Sequence, residues 1–206
     1  MKKLLLTAFE PFAGRGANPA LEVMTRLKPS AFRGWQVHKQ KVPVTGGAAA
    51  RLVPALLARL RPDVMVSFGL AAGEAAVRIE RFALNIQDYP IKDNAGRMPR
   101  GKKIRPEGPA AYFTGADPLR LAAAVRRAKV PAYVSNYAGA YVCNHLMYEA
   151  LHAIAAGGLP TRFAFVHLPL TTELALQENP GKAVPPSLPL DALLRAAAAA
   201  VRAALR

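Results

Sequence analysis

The chain has 206 residues, of which 52% are hydrophobic and 20% charged, so extensive disorder is excluded and one substantial core can be built. Its 28 Lys and Arg outnumber 13 Asp and Glu, giving a net charge of +15, a balance that raises a polyanion partner as a possibility. The single cysteine excludes an internal disulfide framework and suits a reducing compartment.

The distribution of the charge argues against nucleic acid. Most basic residues are scattered singly along expected helix faces. The one dense cluster, Arg97–Arg105, falls in a Pro/Gly-rich loop with no aromatic residue to stack a base. Met1–Leu6 begins like a signal peptide, but the apolar run stops at Glu10-Pro11, so a first buried strand fits better. No charge-free apolar run is long enough to span a membrane. The Ala-rich C-terminus carries Asp191, Arg195, Arg202 and Arg206 and reads as an amphipathic helix.

In chain order, Lys3–Phe9 reads as a strand. Pro19–Leu27 has helical spacing with Asn18 as its N-cap. Trp35–Val44 alternates like a strand. Ala48–Leu60 reads as a helix that Pro54 kinks or opens. Asp63–Gly69 is a buried strand, and Val77–Ile86 is rich in β-formers. Residues 88–116 hold several Pro and Gly and read as a long excursion. Asp117–Arg127 is a helix capped by Asp117 with Pro118 at its first position. Ala132–Asn136 is a strand, Asn144–Ala156 a helix closed by Gly157-Gly158, Arg162–Leu168 a strand and Leu190–Leu205 the last helix. Strands alternating with helices predict an α/β fold: one domain over residues 1–206, with an open, mostly parallel sheet between helix layers. Functional groups in such sheets gather at the C-terminal ends of strands. There is no P-loop, no dinucleotide fingerprint and no zinc-like His/Cys spacing, since the four His stand at 38, 145, 152 and 167.

The chemistry concentrates in residues 135–148. A strand ends near Asn136, a small-residue loop follows, and Cys143 falls in the first turn of a helix. Free backbone N–H groups and the helix dipole there favour a thiolate and could hold an oxyanion. A thiol nucleophile needs a base. His145 is two residues away, and i and i+2 do not face each other on a helix. His152 lies deep in the same helix. His167 ends the apolar strand Phe163–His167 and is the better base. Glu80, an acid inside a β-rich segment, is costly to bury without a partner. It could orient the imidazole or pair with Arg78 or Arg81, and spacing does not choose between these.

Five blocks resemble the pyroglutamyl-peptidase I family. They are Leu6-Thr7-Ala8-Phe9-Glu10-Pro11-Phe12 with Asn18-Pro19, Ile79-Glu80-Arg81-Phe82-Ala83-Leu84-Asn85, Gly108-Pro109-Ala110-Ala111-Tyr112-Phe113, Ser135-Asn136 through Cys143-Asn144-His145-Leu146-Met147-Tyr148, and Phe165-Val166-His167-Leu168-Pro169. They occur in the family's order and span nearly the whole chain. The resemblance implies a cysteine peptidase that removes an N-terminal pyroglutamyl residue from peptides, with Glu80, Cys143 and His167 as its triad. It further implies an α/β/α sandwich, a homotetramer, no cofactor, no metal and a cytosolic location. Phe9 and Phe12 match aromatics that flank the pyrrolidone ring. Asn18, Leu70 and the backbone at Val142 complete the implied pocket. The chain departs from the family pattern Gly-Gln-Ala-Gly-Gly-Arg at Gly69–Glu74, where Leu70 replaces Gln and Glu74 replaces Arg. Pro90 stands where many members have Arg, and Ala8 replaces Gly. These departures predict activity with an altered pocket or a lower rate. The competing readings are a thiol hydrolase of another small acyl-amide and a non-catalytic polyanion-binding module.

Overall fold

The computed structural model describes residues 1–178 and 181–206. Its centre is a six-stranded sheet. β1 (Lys2–Phe9) lies between β2 (Trp35–Val42) and β3 (Val64–Leu70), and β3 pairs with β8 (Arg162–Leu168), all in parallel. All seven residues of β3 are buried, the continuous apolar pattern of a strand covered on both faces. β4 (Val77–Glu80) then runs antiparallel to β8 and parallel to β7 (Ala132–Ser135), completing the order β2-β1-β3-β8-β4-β7. Four strands point one way and two the other.

One face packs α1 (Pro19–Arg26), α3 (Pro118–Arg127) and α6 (Leu190–Ala204) over Leu4, Leu6, Val66, Phe68 and Val166. The small buried side chains of α6, Ala192, Ala196, Ala197 and Ala200, let it approach closely. The other face packs α2 (Gly46–Leu60) and α4 (Val142–Ala156) over Leu5, Met65, Phe163 and Phe165. Each fully buried Phe or Leu contributes roughly 1.5–3 kcal/mol, so the two layers fix the sheet that carries the site. Helix starts follow the sequence signals: Asn18 accepts from Ala20, Thr45 from Ala48, and Asp117 from Leu119 and Arg120.

Several elements differ from expectation. The run 77–86 splits at Arg81 into β4 and β5 (Phe82–Leu84), because β5 leaves the sheet to pair antiparallel with β6 (Ala111–Phe113). Residues 88–116 are not an open excursion. Gln87 bridges to Lys102, and the Asn85 side chain accepts from the Ile104 and Arg105 amides while donating to the Arg105 and Gly108 carbonyls. α2 starts at Gly46, which puts Pro54 in the helix interior rather than its first turn. β9 (Leu170–Thr171), α5 (Thr172–Glu178) and β10 (Ser187–Leu188) are too short to leave a periodic signature.

Candidate active site

His167 and Glu80 meet across the β8–β4 pair. In the register Glu80 stands opposite Phe165 and Arg78 opposite His167, so the side chains of 78, 80, 165 and 167 share one face. His167 Nδ1 lies 2.7 Å from Glu80 Oε1, with both residues buried. The imidazole lies over Gly69 of the adjacent strand. A Cβ there would come within 2.9 Å of its Cδ2 and of the Phe165 ring, so the bare backbone of Gly69 makes room for the ring. The bond to Glu80 fixes the tautomer with Nδ1 protonated and leaves Nε2 as the free acceptor.

The question left open for Glu80, imidazole or arginine, resolves to both. Arg78 Nη2 lies 3.0 Å from the same Oε1 atom. Burial works to raise the Glu80 carboxyl, but His167, Ser135 and Arg78 outweigh it and hold it below the ordinary carboxylate value. Glu80 is therefore a carboxylate at neutral pH, despite being fully buried.

Cys143 is the second residue of α4. The N-cap, Tyr141, offers no side-chain hydrogen bond, in contrast to α1, α2 and α3. His145 N–H is the amide that bonds back to the Tyr141 carbonyl. The amides of Val142, Cys143 and Asn144 thus form the open donor end of a fifteen-residue helix. Asn144 is fully buried and ties this turn to the end of β5: it accepts from Leu84 N and donates to the Leu84 and Ile86 carbonyls.

The surroundings of Cys143 oppose the thiolate that the helix terminus favours. Burial pushes the Cys143 thiol up to about 12, the Glu80 carboxylate adds to the rise, and Arg78 and the residue's own amide oppose it. Desolvation at this position exceeds the helix-terminal field. The strand geometry differs from expectation as well. β7 runs against β8, crosses the His167 row at Tyr133 and ends at Ser135, two residues past that row and level with Glu80 and Phe165, and residues 136–141 then lead into α4.

Aromatic rings flank the helix start. Phe12 and Tyr141 have centroids 6.0 Å apart, and Tyr89 meets Tyr141 edge-on at 4.9 Å. Phe9 is buried in the α2/α4 core layer, while Phe12, only partly buried, joins that layer to the cluster of Leu70, Leu170, Leu174 and Ala175. Val142 is buried at the first position of α4. Asn18 uses its side chain on backbone: Nδ2 donates to the Phe9 and Glu10 carbonyls, and Oδ1 accepts from Ala20. It shapes the turn that presents Phe12, and it does so with the atoms that a direct substrate contact would need.

His145 engages the outer ring of this cluster: its Nδ1 is 2.9 Å from the Tyr89 hydroxyl, and with Tyr89, Asp93, Arg97 and Glu149 it lines a cavity of about 510 Å³. Burial and the Arg105 charge push its pKa down to about 4, against the opposing pull of Asp93. His152 bonds to the Tyr112 hydroxyl. In the basic loop, Arg105 is paired with Glu149 and Arg100 lies 3.7 Å from Asp88. Sequence reasoning weighed Arg78 only as a rival for Glu80. The missed signal was its i, i+2 spacing from Glu80, which on a strand puts both side chains on one face.

Among the described residues, no helix is long and apolar enough to cross a membrane, and no group of three His, Cys, Asp or Glu is arranged to hold a metal. Residues 2–206 match the family described as pyroglutamyl peptidase. A pyrrolidone-carboxylate peptidase of Levilactobacillus brevis is 41% identical over 98% of this chain and 96% of its own length. One from Thermococcus onnurineus is 37% identical over 99% of each. The crystal structure of Bacillus amyloliquefaciens pyroglutamyl peptidase I superposes with a TM-score of 0.91 at 34% identity, covering 99% of this chain and 97% of that one. The mixed sheet, the helix layers and this full-length likeness together make the chain a member of the pyroglutamyl peptidase family of cysteine peptidases.

Proposed function

We propose that this chain hydrolyses the amide bond after an N-terminal pyroglutamyl residue, with Cys143 as nucleophile, His167 as base and Glu80 as the acid that orients it. The observation that carries the assignment is the buried 2.7 Å contact between His167 Nδ1 and Glu80 Oε1, which leaves Nε2 free to take a proton.

The proton leaves Sγ for His167 Nε2 as sulfur bonds to the pyroglutamyl carbonyl carbon. The carbonyl electron pair moves to oxygen, and the open amides at the start of α4 stabilise that oxyanion. When the pair returns, the C–N bond breaks and His167 gives its proton to the leaving amine. The acyl group remains as a thioester. Water then attacks the thioester with its proton going to His167, and pyroglutamate leaves as the thiol is restored. Glu80 stays ionised throughout and holds the Nδ1 proton.

Phe9, Phe12 and Val142 form the pocket for the flat, uncharged lactam, with Leu70 as an apolar wall and Asn18 shaping the turn from behind. A ring between aromatic faces gains both burial and stacking. The family likeness supports a homotetramer of one-domain subunits, and the lone cysteine supports a cytoplasmic setting.

The test is hydrolysis of pyroglutamyl-aminocoumarin under reducing conditions. Turnover is expected, blocked by iodoacetamide, and reduced at least about 10³-fold by Cys143→Ala with the fold retained. Undiminished turnover by Cys143→Ala overturns the assignment. A folded wild-type protein that ignores this substrate but cleaves another acyl-aminocoumarin overturns the choice of acyl group.

A further inference from the structure

We infer that Arg78 is a positioning residue of this active site, a clamp that couples the orienting acid Glu80 to the loop that delivers Cys143. The inference rests on the triad proposed above.

One guanidinium nitrogen of Arg78 serves three partners. Nη2 lies 3.0 Å from Glu80 Oε1, 2.5 Å from the Tyr137 carbonyl and 3.2 Å from Ser135 Oγ. Glu80 belongs to β4, Ser135 ends β7, and Tyr137 begins the turn that leads to α4. The carbonyl of Tyr137 is thus held against the same charged group as the carboxylate that holds His167. Ser135 reinforces the turn: its hydroxyl receives the Tyr137 amide and lies 3.2 Å from the Tyr137 carbonyl.

The other arm of the fork is also held. Nη1 lies 3.3 Å from Glu74 Oε1, and the Tyr133 hydroxyl donates to Glu74 Oε2. Glu74 is therefore a tether for the arginine, which gives this departure from the family pattern a local purpose. The Arg78 side chain is 18% exposed and Glu80 is fully buried, so the pair between them is shielded from the screening that makes surface pairs weak. A planar fork spans such a set, and a lysine point charge does not.

The arrangement has two consequences. Arg78 keeps a positive charge beside Glu80 and near the thiol, offsetting part of the carboxylate's effect on Cys143. It also fixes the distance between the base and nucleophile elements, where a misplacement of about 1 Å costs on the order of 10²-fold in rate. The charged or titratable groups that act on the thiol are Glu80 and Arg78 from β4, and the thiol in turn influences Tyr89 and Tyr141. Those around Arg78 are Glu74, Glu80, Tyr133 and, on the other side of Glu80 Oε1, His167.

The test is iodoacetamide alkylation of Cys143, the chain's only thiol, as a function of pH, run beside kcat and KM for pyroglutamyl-aminocoumarin. In Arg78→Gln the alkylation rate, followed across neutral to mildly alkaline pH, is expected to fall about tenfold. Its kcat should fall about 10- to 100-fold with KM nearly unchanged. Arg78→Lys, which keeps charge but not the fork, should return the alkylation rate toward wild type while kcat stays low. A folded Arg78→Gln with wild-type alkylation and kcat overturns the proposal. If Arg78→Gln does not fold, Arg78→Lys decides: wild-type kcat there overturns the clamp, and a kcat loss with unmoved alkylation supports it. The alkylation arm needs no substrate, so slowed alkylation in a protein that ignores the coumarin would keep the coupling and sink the substrate assignment instead.

Discussion

Two His–Glu–Arg groups lie within this molecule, each centred on a buried glutamate, and the proposed function uses only one of them. In the first, His167 and Arg78 both approach Oε1 of Glu80, at 2.7 and 3.0 Å. In the second, Arg105 takes Oε2 of Glu149 through two nitrogens, at 2.7 and 3.0 Å, and His145 stands 3.9 Å from Oε1. The residue types match and the outcomes differ. Glu80 orients an imidazole whose second nitrogen is free. Glu149 clasps the 104–105 segment to α4, while His145 is already bound to Tyr89 through Nδ1. The origin of the difference is the backbone. Facing strands bring Glu80 and His167 together across a ladder, whereas His145 and Glu149 are four residues apart on one helix and stay 3.9 Å apart. A histidine beside a glutamate is thus no catalytic signature until the second nitrogen and the carboxylate geometry are specified.

Substituting the two acids should separate the groups most sharply. Glu80→Gln keeps the shape but loses the tautomer control, so kcat should fall by about 10² to 10⁴ with little change in KM. Glu149→Gln should leave kcat within about threefold and instead lower the denaturant midpoint, by roughly 1–3 kcal/mol of stability, because it strips the partner from Arg105. Steady-state kinetics and urea titration on both variants check the pair. Equal kinetic losses would erase the distinction.

A smaller effect follows from pH. The pKa of His145 is depressed in the folded chain to about 4, so the unfolded chain binds the extra proton first as pH falls. The stabilisation is fully present above the unfolded value near 6.5 and is lost progressively toward pH 4. It amounts to roughly 3 kcal/mol at most. Urea midpoints measured at neutral pH and near pH 4.5 should drop steeply for the wild type and less for His145→Gln. Parallel slopes would place the acid sensitivity elsewhere. Glu80, depressed from its ordinary value of 4.5, contributes stability that is present above that value and is lost as pH falls below it, so its loss begins only at the acid end of the His145 window.

Much of the scaffold was legible because local physics sets it. The unbroken apolar runs of β3 and β8, the Asn18 and Asp117 caps, and the two Pro at first helical positions are read directly from the residues. Cys143 and His167 were legible too, as a thiol after a small-residue loop and an imidazole ending a buried strand. What escaped depends on non-local pairing. The direction of β4 and β7 is decided by the path of the connections, not by the strand sequences, and only that direction puts Arg78 opposite His167. The groups that oppose a Cys143 thiolate escaped for a similar reason. The helix terminus is visible in sequence, while the desolvation and the Glu80 carboxylate that oppose it depend on the tertiary fold.

The central claim is a covalent acyl transfer through Cys143, and the most direct measurement is acid-quenched mass spectrometry of the protein during turnover of a pyroglutamyl peptide. The account predicts one pyroglutamyl group on the fragment containing Cys143, in a linkage cleaved by hydroxylamine, and none in Cys143→Ala. Continued turnover with no adduct, or with the adduct on any other residue, would contradict it.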